Sequence, residues 1–145
     1  MTEEPCQASF LQDLFVAGRK LRNLFDARTR QSGMTYVRAK LLLYLAHHPG
    51  PTQAEVADAL DVERPTIARL IDGMEGAGLV CRKATDSDRR LRRIFLTSAA
   101  EDQVQQVRAL SEALRDDATA GIDPADLIVA RRVIAQVLAN ISAAA

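Results

Sequence analysis

Two short amphipathic helices, separated by a very short link, constrain this sequence more than any other feature. Apolar residues recur at three- and four-residue steps over residues 53–60, and again in a segment that begins near Arg64. The link Asp61-Val62-Glu63 is long enough only for a tight turn, so the pair predicts a helix-turn-helix. The apolar faces comprise Val56, Ala57 and Leu60 in the first helix and Ile67, Leu70, Ile71 and Met74 in the second.

The residues after the second helix predict a β-hairpin. Gly76 and Gly78 favour the end of the helix, because glycine adopts the positive φ that helix ends need. Residues 79–85 and 91–97 then alternate between apolar and polar side chains, and the polar segment 86–90 predicts the turn between them. A hairpin directly after a helix-turn-helix indicates a winged helix-turn-helix.

The predicted hairpin is strongly basic. From Arg82 to Arg93 the sequence has six basic residues and two acidic ones, although the formal net charge of the whole chain is zero. A basic projection on a neutral chain is the electrostatic pattern expected of a surface that contacts the phosphates of a nucleic acid. We therefore expect double-stranded DNA as a partner.

A larger set of residues in this region matches a known pattern in both order and spacing. The set is Thr52, Gln53, Val56, Ala57, Leu60, Arg64, Pro65, Thr66, Ile67, Arg69, Leu70, Gly78, Leu79, Val80, Arg82, Ser87, Asp88, Arg89, Arg90, Phe95, Leu96, Thr97, Ala100 and Glu101. It resembles the MarR family of bacterial transcription regulators and, within that family, the SlyA-like branch. One departure is Asp61, where many helix-turn-helix proteins carry glycine, but aspartate tolerates a left-handed backbone better than most residues.

Further helices are expected on both sides of the winged unit. Apolar periodicity predicts helices over residues 9–29 and 37–47 before it, and over about residues 98–120 after it. A last helix should begin at Asp123-Pro124, since proline is favoured at the first helical position. The expected N-caps of these helices and of the first helix of the motif are Thr35, Thr52, Ser98 and Asp123.

The first helix and the last two are too apolar for the winged unit to cover, which predicts a two-fold homodimer. A dimer also suits DNA, because two recognition helices must lie about 34 Å apart to enter successive major grooves. The resemblance implies the same: a mainly α chain with a small β-hairpin wing, paired into a triangular dimer. We predict one chain, 1–145, with a DNA-binding lobe at 35–97 and a dimerisation lobe formed by 9–30 and 98–142.

The candidate DNA contacts lie on the second helix of the motif and on the hairpin. Thr66 and Arg69 can reach base edges in the major groove, and Pro65 presents a flat apolar surface there. Either Arg89 or Arg90 is expected in the minor groove, while the other pairs with an aspartate. The alternative is that these charges are solvated surface residues. The full predicted set is Thr52, Arg64, Pro65, Thr66, Arg69, Arg82, Lys83, Arg89, Arg90 and Arg92.

Two further features are implied by the resemblance alone. The first is an ion pair between Asp88 and Arg90 that braces the wing. The second is an effector cavity between the first two helices, the fifth helix and the winged unit, with Arg19, Tyr36 and Arg38 as polar contacts. Arg19 would suit a carboxylate. Leu21 and Ala39 stand where SlyA-like relatives carry aromatic side chains, which argues against an aromatic acid as the effector.

Other kinds of signal have weaker support in the sequence. Cys6 precedes the first helix, and Cys81 on the first wing strand suits a small buried apolar position more than a reactive thiol. His47 and His48 are adjacent, so they point to different sides of a helix end and do not favour one metal ion. We therefore expect neither a metal nor a cofactor.

The remaining sequence narrows the class of function. It contains no glycine-rich phosphate loop, metal-ligand cluster or Ser/His/Asp set, so we do not expect an enzyme. No apolar run approaches the roughly 18 residues that span a bilayer, and the acidic N-terminus lacks a signal core, so we expect a cytoplasmic protein. The leading hypothesis is a dimeric regulator that binds a palindromic operator and acts as a repressor relieved by a small molecule. The alternatives are a thiol-redox-sensing regulator and a winged-helix module that binds protein.

Overall fold

Six α-helices and one antiparallel β-hairpin form the described part of the chain, which is residues 5–85 and 88–145 without the side chains of Thr85, Asp88 and Arg89. In this computed structural model the elements are α1 Cys6–Gln31, α2 Tyr36–His47, α3 Gln53–Leu60, α4 Arg64–Gly76, β1 Val80–Thr85, β2 Asp88–Leu96, a 3₁₀ turn Ser98–Ala100, α5 Glu101–Ala118 and α6 Pro124–Ala144. The hairpin of β1 and β2 is called the wing below. The predicted class, mainly α with a β-hairpin wing, is confirmed.

Three of the four predicted N-caps begin their helices. The hydroxyls of Thr35 and Thr52 each accept a hydrogen bond from the amide three residues later, at 3.3 and 3.2 Å. The carboxylate of Asp123 accepts one from the amide of Ala125 at 2.9 Å. Each cap satisfies an amide that has no partner within its helix, so these helix starts follow from local chemistry.

Two expectations about helix starts were wrong. Helix α1 begins at Cys6, so that cysteine is the first helical residue rather than part of a preceding segment. Ser98 does not cap α5, because residues Ser98–Ala100 form a 3₁₀ turn that leads into it. The predicted end of α4 is correct, because Gly76 is its last residue and Gly78, two residues later, adopts the expected positive φ of 77°. The hydroxyl of Thr97 donates to the Gly78 carbonyl at 2.5 Å, which fixes the chain just before the 3₁₀ turn.

The second wing strand is longer than the sequence pattern predicted. It begins at Asp88, within the segment 86–90 that was expected to be a turn. A register shift between Ala84 and Thr85 allows Thr85 to pair with Asp88, so the ladder continues closer to the tip. Apolar alternation could not reveal this pair, because Thr85 and Asp88 are both polar residues.

The loop between α2 and α3 pairs with the wing. The amide of Gly50 donates to the Ile94 carbonyl at 3.2 Å, and the amide of Ile94 donates to the Pro51 carbonyl at 2.9 Å. Gly50 has a φ of 75°, and a Cβ there would lie 2.9 Å from Cζ of Phe95. Only glycine suits both the backbone and the space. The wing is therefore anchored to the start of the helix-turn-helix.

Among the residues that the structure describes, an apolar core lies beneath α4 and the wing. On α4, the side chains of Ile67 and Ile71 are completely buried and Met74 is nearly so. Phe25 on α1 and Val107 on α5 belong to the same core, so both helices pack around the winged unit. The other members are Met34, Ala39, Leu41, Leu42, Leu45, Val56, Ala57, Leu60, Leu79, Val80, Ile94, Ala100 and Val104.

The chain divides into two compact units, residues up to Leu114 and Arg115–Ala145. The first contains the helix-turn-helix, the wing, α1, α2 and most of α5. The second contains the end of α5 and all of α6. The predicted division into a lobe at 35–97 and a lobe of 9–30 with 98–142 stays a prediction.

Helix α6 differs from the sequence expectation about apolar runs. Residues Pro124–Ala144 are long and apolar enough to cross a membrane, judged by length and composition alone, and none of them is buried. The expectation that no stretch approaches this length was therefore wrong, since the two arginines in the helix do not offset its apolar residues. The same composition is typical of a helix that packs against other helices.

Candidate nucleic-acid interface

Helix α4 has one buried face and one exposed face. Its apolar residues fix the helix to the core, and the opposite face carries Arg64, Pro65, Thr66 and Arg69, all exposed. These four residues lie in the first two turns, which is the part of a recognition helix that reaches base edges in the major groove. The structure thus brings four of the predicted DNA contacts onto one accessible surface.

The turn before α4 sets the direction of that helix. Asp61 ends α3 in the left-handed conformation, with φ 52° and ψ 50°. The amide of Val62 donates to the Ala57 carbonyl at 3.1 Å, a bond typical of helix ends closed by a left-handed residue. Aspartate therefore adopts the conformation for which glycine is usual, as the sequence predicted.

Arg82 on β1 connects the wing to both helices of the motif. Its guanidinium donates to Asp72 at 2.6 Å and to Glu75 at 2.9 Å, both on α4, and to Gln53 on α3 at 3.3 Å. We call these four residues the Arg82 clamp. Burial alone would lower the pKa of Arg82, but its bonds to the two carboxylates outweigh burial and raise the pKa. The guanidinium is thus held by acceptors within the chain and is only 15% exposed.

The other basic residues of the wing are oriented differently. Lys83, Arg90 and Arg92 are exposed, and the ammonium of Lys83 lies 5.2 Å from the centre of the Phe95 ring. Arg93 points back to the anchoring loop, since its guanidinium donates to the Gly50 carbonyl at 2.8 Å. Two predictions lie outside the described side chains, because those of Asp88 and Arg89 are not described. These are the ion pair of Asp88 with Arg90 and the choice between Arg89 and Arg90 for the minor groove.

An open depression joins the wing to the start of α3. Its volume is about 340 Å³, and it is lined by Thr52, Gln53, Ala54, Arg82, Arg90, Leu91, Arg92 and Ile94. Four of the predicted DNA contacts therefore line this depression: Thr52, Arg82, Arg90 and Arg92. Helix amides and exposed guanidinium groups are the usual partners of a phosphate. Sequence analysis missed Gln53, Asp72 and Glu75, because their roles depend on contacts between distant segments.

A second cavity, which is also open to solvent, lies between α1, α2 and α5. It has a volume of about 330 Å³ and is lined by Gly18, Leu21, Arg22, Phe25, Tyr36, Ser111 and Leu114. Of the three predicted effector residues, only Tyr36 is among these lining residues. Arg19 lines a separate hollow on α1, and Arg38 donates to the amide oxygen of Gln103 at 2.9 Å. Arg22 was missed, although it lies three residues before Phe25 and so on the same side of α1.

The candidate thiol and metal residues are dispersed. Cys6 is exposed and Cys81 is half-buried. His47 and His48 each place Nδ1 near a carbonyl oxygen of their own helix, at 2.8 and 3.1 Å. Among residues 5–85 and 88–145, no group of three or more His, Cys, Asp or Glu side chains could hold a metal ion.

Known proteins share this architecture. The MarR family model matches residues 32–91. The solved structure of transcriptional regulator PA3341 is 37% identical, covers 92% of this chain and 98% of its own, and has a TM-score of 0.83. The structure of transcriptional regulator SlyA is 20% identical, covers 92% of this chain and 94% of its own, and has a TM-score of 0.77.

A complex with DNA is also among the similar structures. It is the MepR–DNA complex of S. aureus, which is 21% identical, covers 91% of this chain and 96% of its own, and has a TM-score of 0.74. At this identity the likeness concerns the fold alone. The family match, together with the identity to PA3341 over nearly the whole chain, establishes that the protein belongs to the MarR family of transcriptional regulators, with a winged helix-turn-helix fold.

Proposed function

We propose that this protein is a homodimeric regulator that binds a palindromic DNA operator in the cytoplasm, and that it is not an enzyme. Helix α4 would enter the major groove, and the wing would contact the neighbouring minor groove. The observation that carries this proposal is the exposed face of α4, with Thr66 and Arg69, beside exposed basic residues of the wing. The basic wing favours DNA over a protein partner, because a cluster of cations binds the phosphates of a duplex.

The DNA contacts divide into three groups. Thr66 and Arg69 would read bases, with Arg64 and Pro65 beside them at the helix start. Lys83, Arg90 and Arg92 would contact phosphates, together with the capped start of α3 at Thr52. Arg82 is reassigned from phosphate contact to brace, since its guanidinium is occupied by the clamp. The DNA-bound MepR structure supports the use of this fold on duplex DNA.

A second copy of the chain is the expected partner of the exposed apolar helices. On α1, Phe15 is 76% exposed, and four other large apolar side chains of that helix are also accessible to solvent. On α6, five such residues are exposed: Ile128, Val129, Val133, Leu138 and Ile141. Apolar surface gathered along a helix marks an interface. A two-fold dimer would present two recognition helices to two half-sites.

The cavity between α1, α2 and α5 is the proposed effector site. Its apolar walls would hold the body of a small molecule, and Arg22 with Tyr36 would contact a polar or anionic group. We propose that binding there relieves repression. This replaces Arg19 and Arg38 with Arg22 as the cationic contact, because neither of them lines the cavity.

The proposal is tested by assembly and by DNA selectivity together. Sedimentation at micromolar concentration should give a dimer. An operator selected from random DNA should bind at least about 1,000-fold more tightly than scrambled DNA at physiological salt. A monomer, or equal affinity for both duplexes, would contradict the proposal. The operator serves as the probe in every DNA experiment below.

A further inference from the structure

We propose that Lys40 is a positioning residue that couples the cavity between α1, α2 and α5 to the turn of the helix-turn-helix. The inference rests on the proposed function, because it concerns how α4 is held for DNA. Lys40 lies on α2, within hydrogen-bonding distance of α3 and close to an aromatic side chain of the cavity wall. It thereby occupies the space between the proposed effector site and the DNA-reading element.

The first contact is with the end of α3. The ammonium of Lys40 donates to the carbonyl of Leu60 at 3.0 Å. Leu60 is the last residue of α3, and the last carbonyls of a helix have no partner within it. A cation at this position also interacts favourably with the negative end of the helix dipole. Lys40 therefore holds the carbonyl that directly precedes the left-handed Asp61 and the start of α4.

The second contact is with the cavity. The Lys40 ammonium lies 5.2 Å from the centre of the Tyr36 ring, within the range of a cation–π interaction. Tyr36 precedes Lys40 by four residues on α2, so the two side chains are neighbours on one face. The Tyr36 ring meets Phe25 edge to face at 5.5 Å, and both rings line the cavity.

These contacts form a continuous path from the cavity wall to the turn. A molecule in the cavity can contact Tyr36 and Phe25, which both line it, and a shift of the Tyr36 ring changes the surroundings of the Lys40 ammonium. The hydrogen bond to Leu60 responds, and with it the position from which α4 departs. Because Ile67 and Ile71 are completely buried, α4 is a rigid element, so a change at its turn is transmitted along the whole helix.

The test uses substitutions that remove one link at a time. Lys40→Met removes the ammonium and keeps the apolar stem, and Lys40→Arg keeps a cation. Tyr36→Leu removes the ring, and Tyr36→Phe keeps it. Lys20→Met is the matched control, since Lys20 is an exposed lysine of α1. The measurements are operator affinity as a function of salt, thermal stability, and hydrogen exchange at the amides of Asp61 and Val62.

We expect Lys40→Met to weaken operator binding about tenfold, the effect of losing one charged hydrogen bond, and to speed exchange at both amides. The dependence of log affinity on log salt should be unchanged, because Lys40 touches no phosphate. Lys40→Arg, Tyr36→Phe and Lys20→Met should bind like the unaltered protein. The double variant Lys40→Met with Tyr36→Leu should lose no more operator affinity than Lys40→Met alone, since the two residues act along one path.

Several results would overturn the inference. A salt slope lowered by about one would make Lys40 a phosphate contact. Fully additive effects of the two substitutions would make the residues independent. Lower thermal stability with unchanged affinity and exchange would make the role structural only. If the unaltered protein ignores the operator, the proposed function fails, while hydrogen exchange in Lys40→Met still tests the link to the turn.

Discussion

Helices α4 and α6 are both amphipathic, yet they use their apolar faces differently. Helix α4 buries Ile67, Ile71 and Met74 within its own chain and leaves a polar face in solvent. Helix α6 has no buried residue, and its large apolar side chains are exposed. The same helical periodicity thus supports two roles. On α4 it fixes an element in place, and on α6 it leaves an exposed apolar surface, which we propose is covered by a second copy of the chain.

Truncating the α4 core should have the largest effect. Ile71→Ala removes a completely buried side chain and leaves a cavity, so the free energy of unfolding should fall by about 2–5 kcal/mol. Urea denaturation followed by circular dichroism measures the loss. The control is Ala68→Gly on the same helix, which should cost about 1 kcal/mol through helix propensity. A loss for Ile71→Ala no larger than that of the control would mean that α4 is not held by its apolar face.

A charge on the exposed face of α6 should affect assembly instead. Leu138 is 60% exposed in the single chain, and in a dimer Leu138→Asp would place a carboxylate in each copy of an apolar interface. We expect the dimer dissociation constant to rise roughly 100- to 1,000-fold, with the winged unit still folded. Sedimentation over a concentration series measures this. Ala59→Asp on α3, which is also exposed, should remain dimeric. An undisturbed Leu138→Asp dimer would contradict the role assigned to α6.

The sequence predicted those features of the helices that depend on residues close to one another in the chain. The start of α3 was correct to the residue because its cap, Thr52, lies beside it. The left-handed Asp61 was anticipated for the same reason. The start of α6 at Asp123-Pro124 was also predicted from local chemistry, and the excess of apolar residues on this helix agrees with the absence of any buried α6 residue in the chain described.

Contacts between distant segments could not be predicted in the same way. The Arg82 clamp joins residue 82 to residues 53, 72 and 75, and none of these pairs follows from helical or strand periodicity. Arg82 therefore looked like one more wing cation. Likewise, the pairing of Gly50 with β2 needs a loop and a strand more than 40 residues apart. Such contacts decide which charges remain available to DNA.

On the exposed face of α4, a substitution should change recognition without changing the fold. Arg69→Ala should weaken operator binding by about 1–3 kcal/mol and relax the preference at one base pair in each half-site. Paired titrations of the selected operator and of duplexes altered at single positions measure both effects. Arg115→Ala, at an exposed arginine outside the winged unit, should bind like the unaltered protein. Equal weakening on every duplex would make Arg69 a phosphate contact.

The smallest effects should separate two arginines of the wing that have the same charge. Arg92→Ala removes an exposed cation, so the slope of log affinity against log salt should fall by about one, with little loss of stability. Arg82→Ala breaks the clamp, so stability should fall by about 1–2 kcal/mol while the slope stays unchanged. Because the pKa of Arg82 is raised from an already high value, Arg82 stays charged throughout the physiological pH range, and as the pH rises the clamp's contribution is lost only in strong alkali. Salt titrations and urea denaturation at pH 6 and pH 8 measure these outcomes. A lower salt slope for Arg82→Ala would instead make Arg82 a phosphate contact. Only a cation that neutralises a phosphate changes the number of ions released on binding.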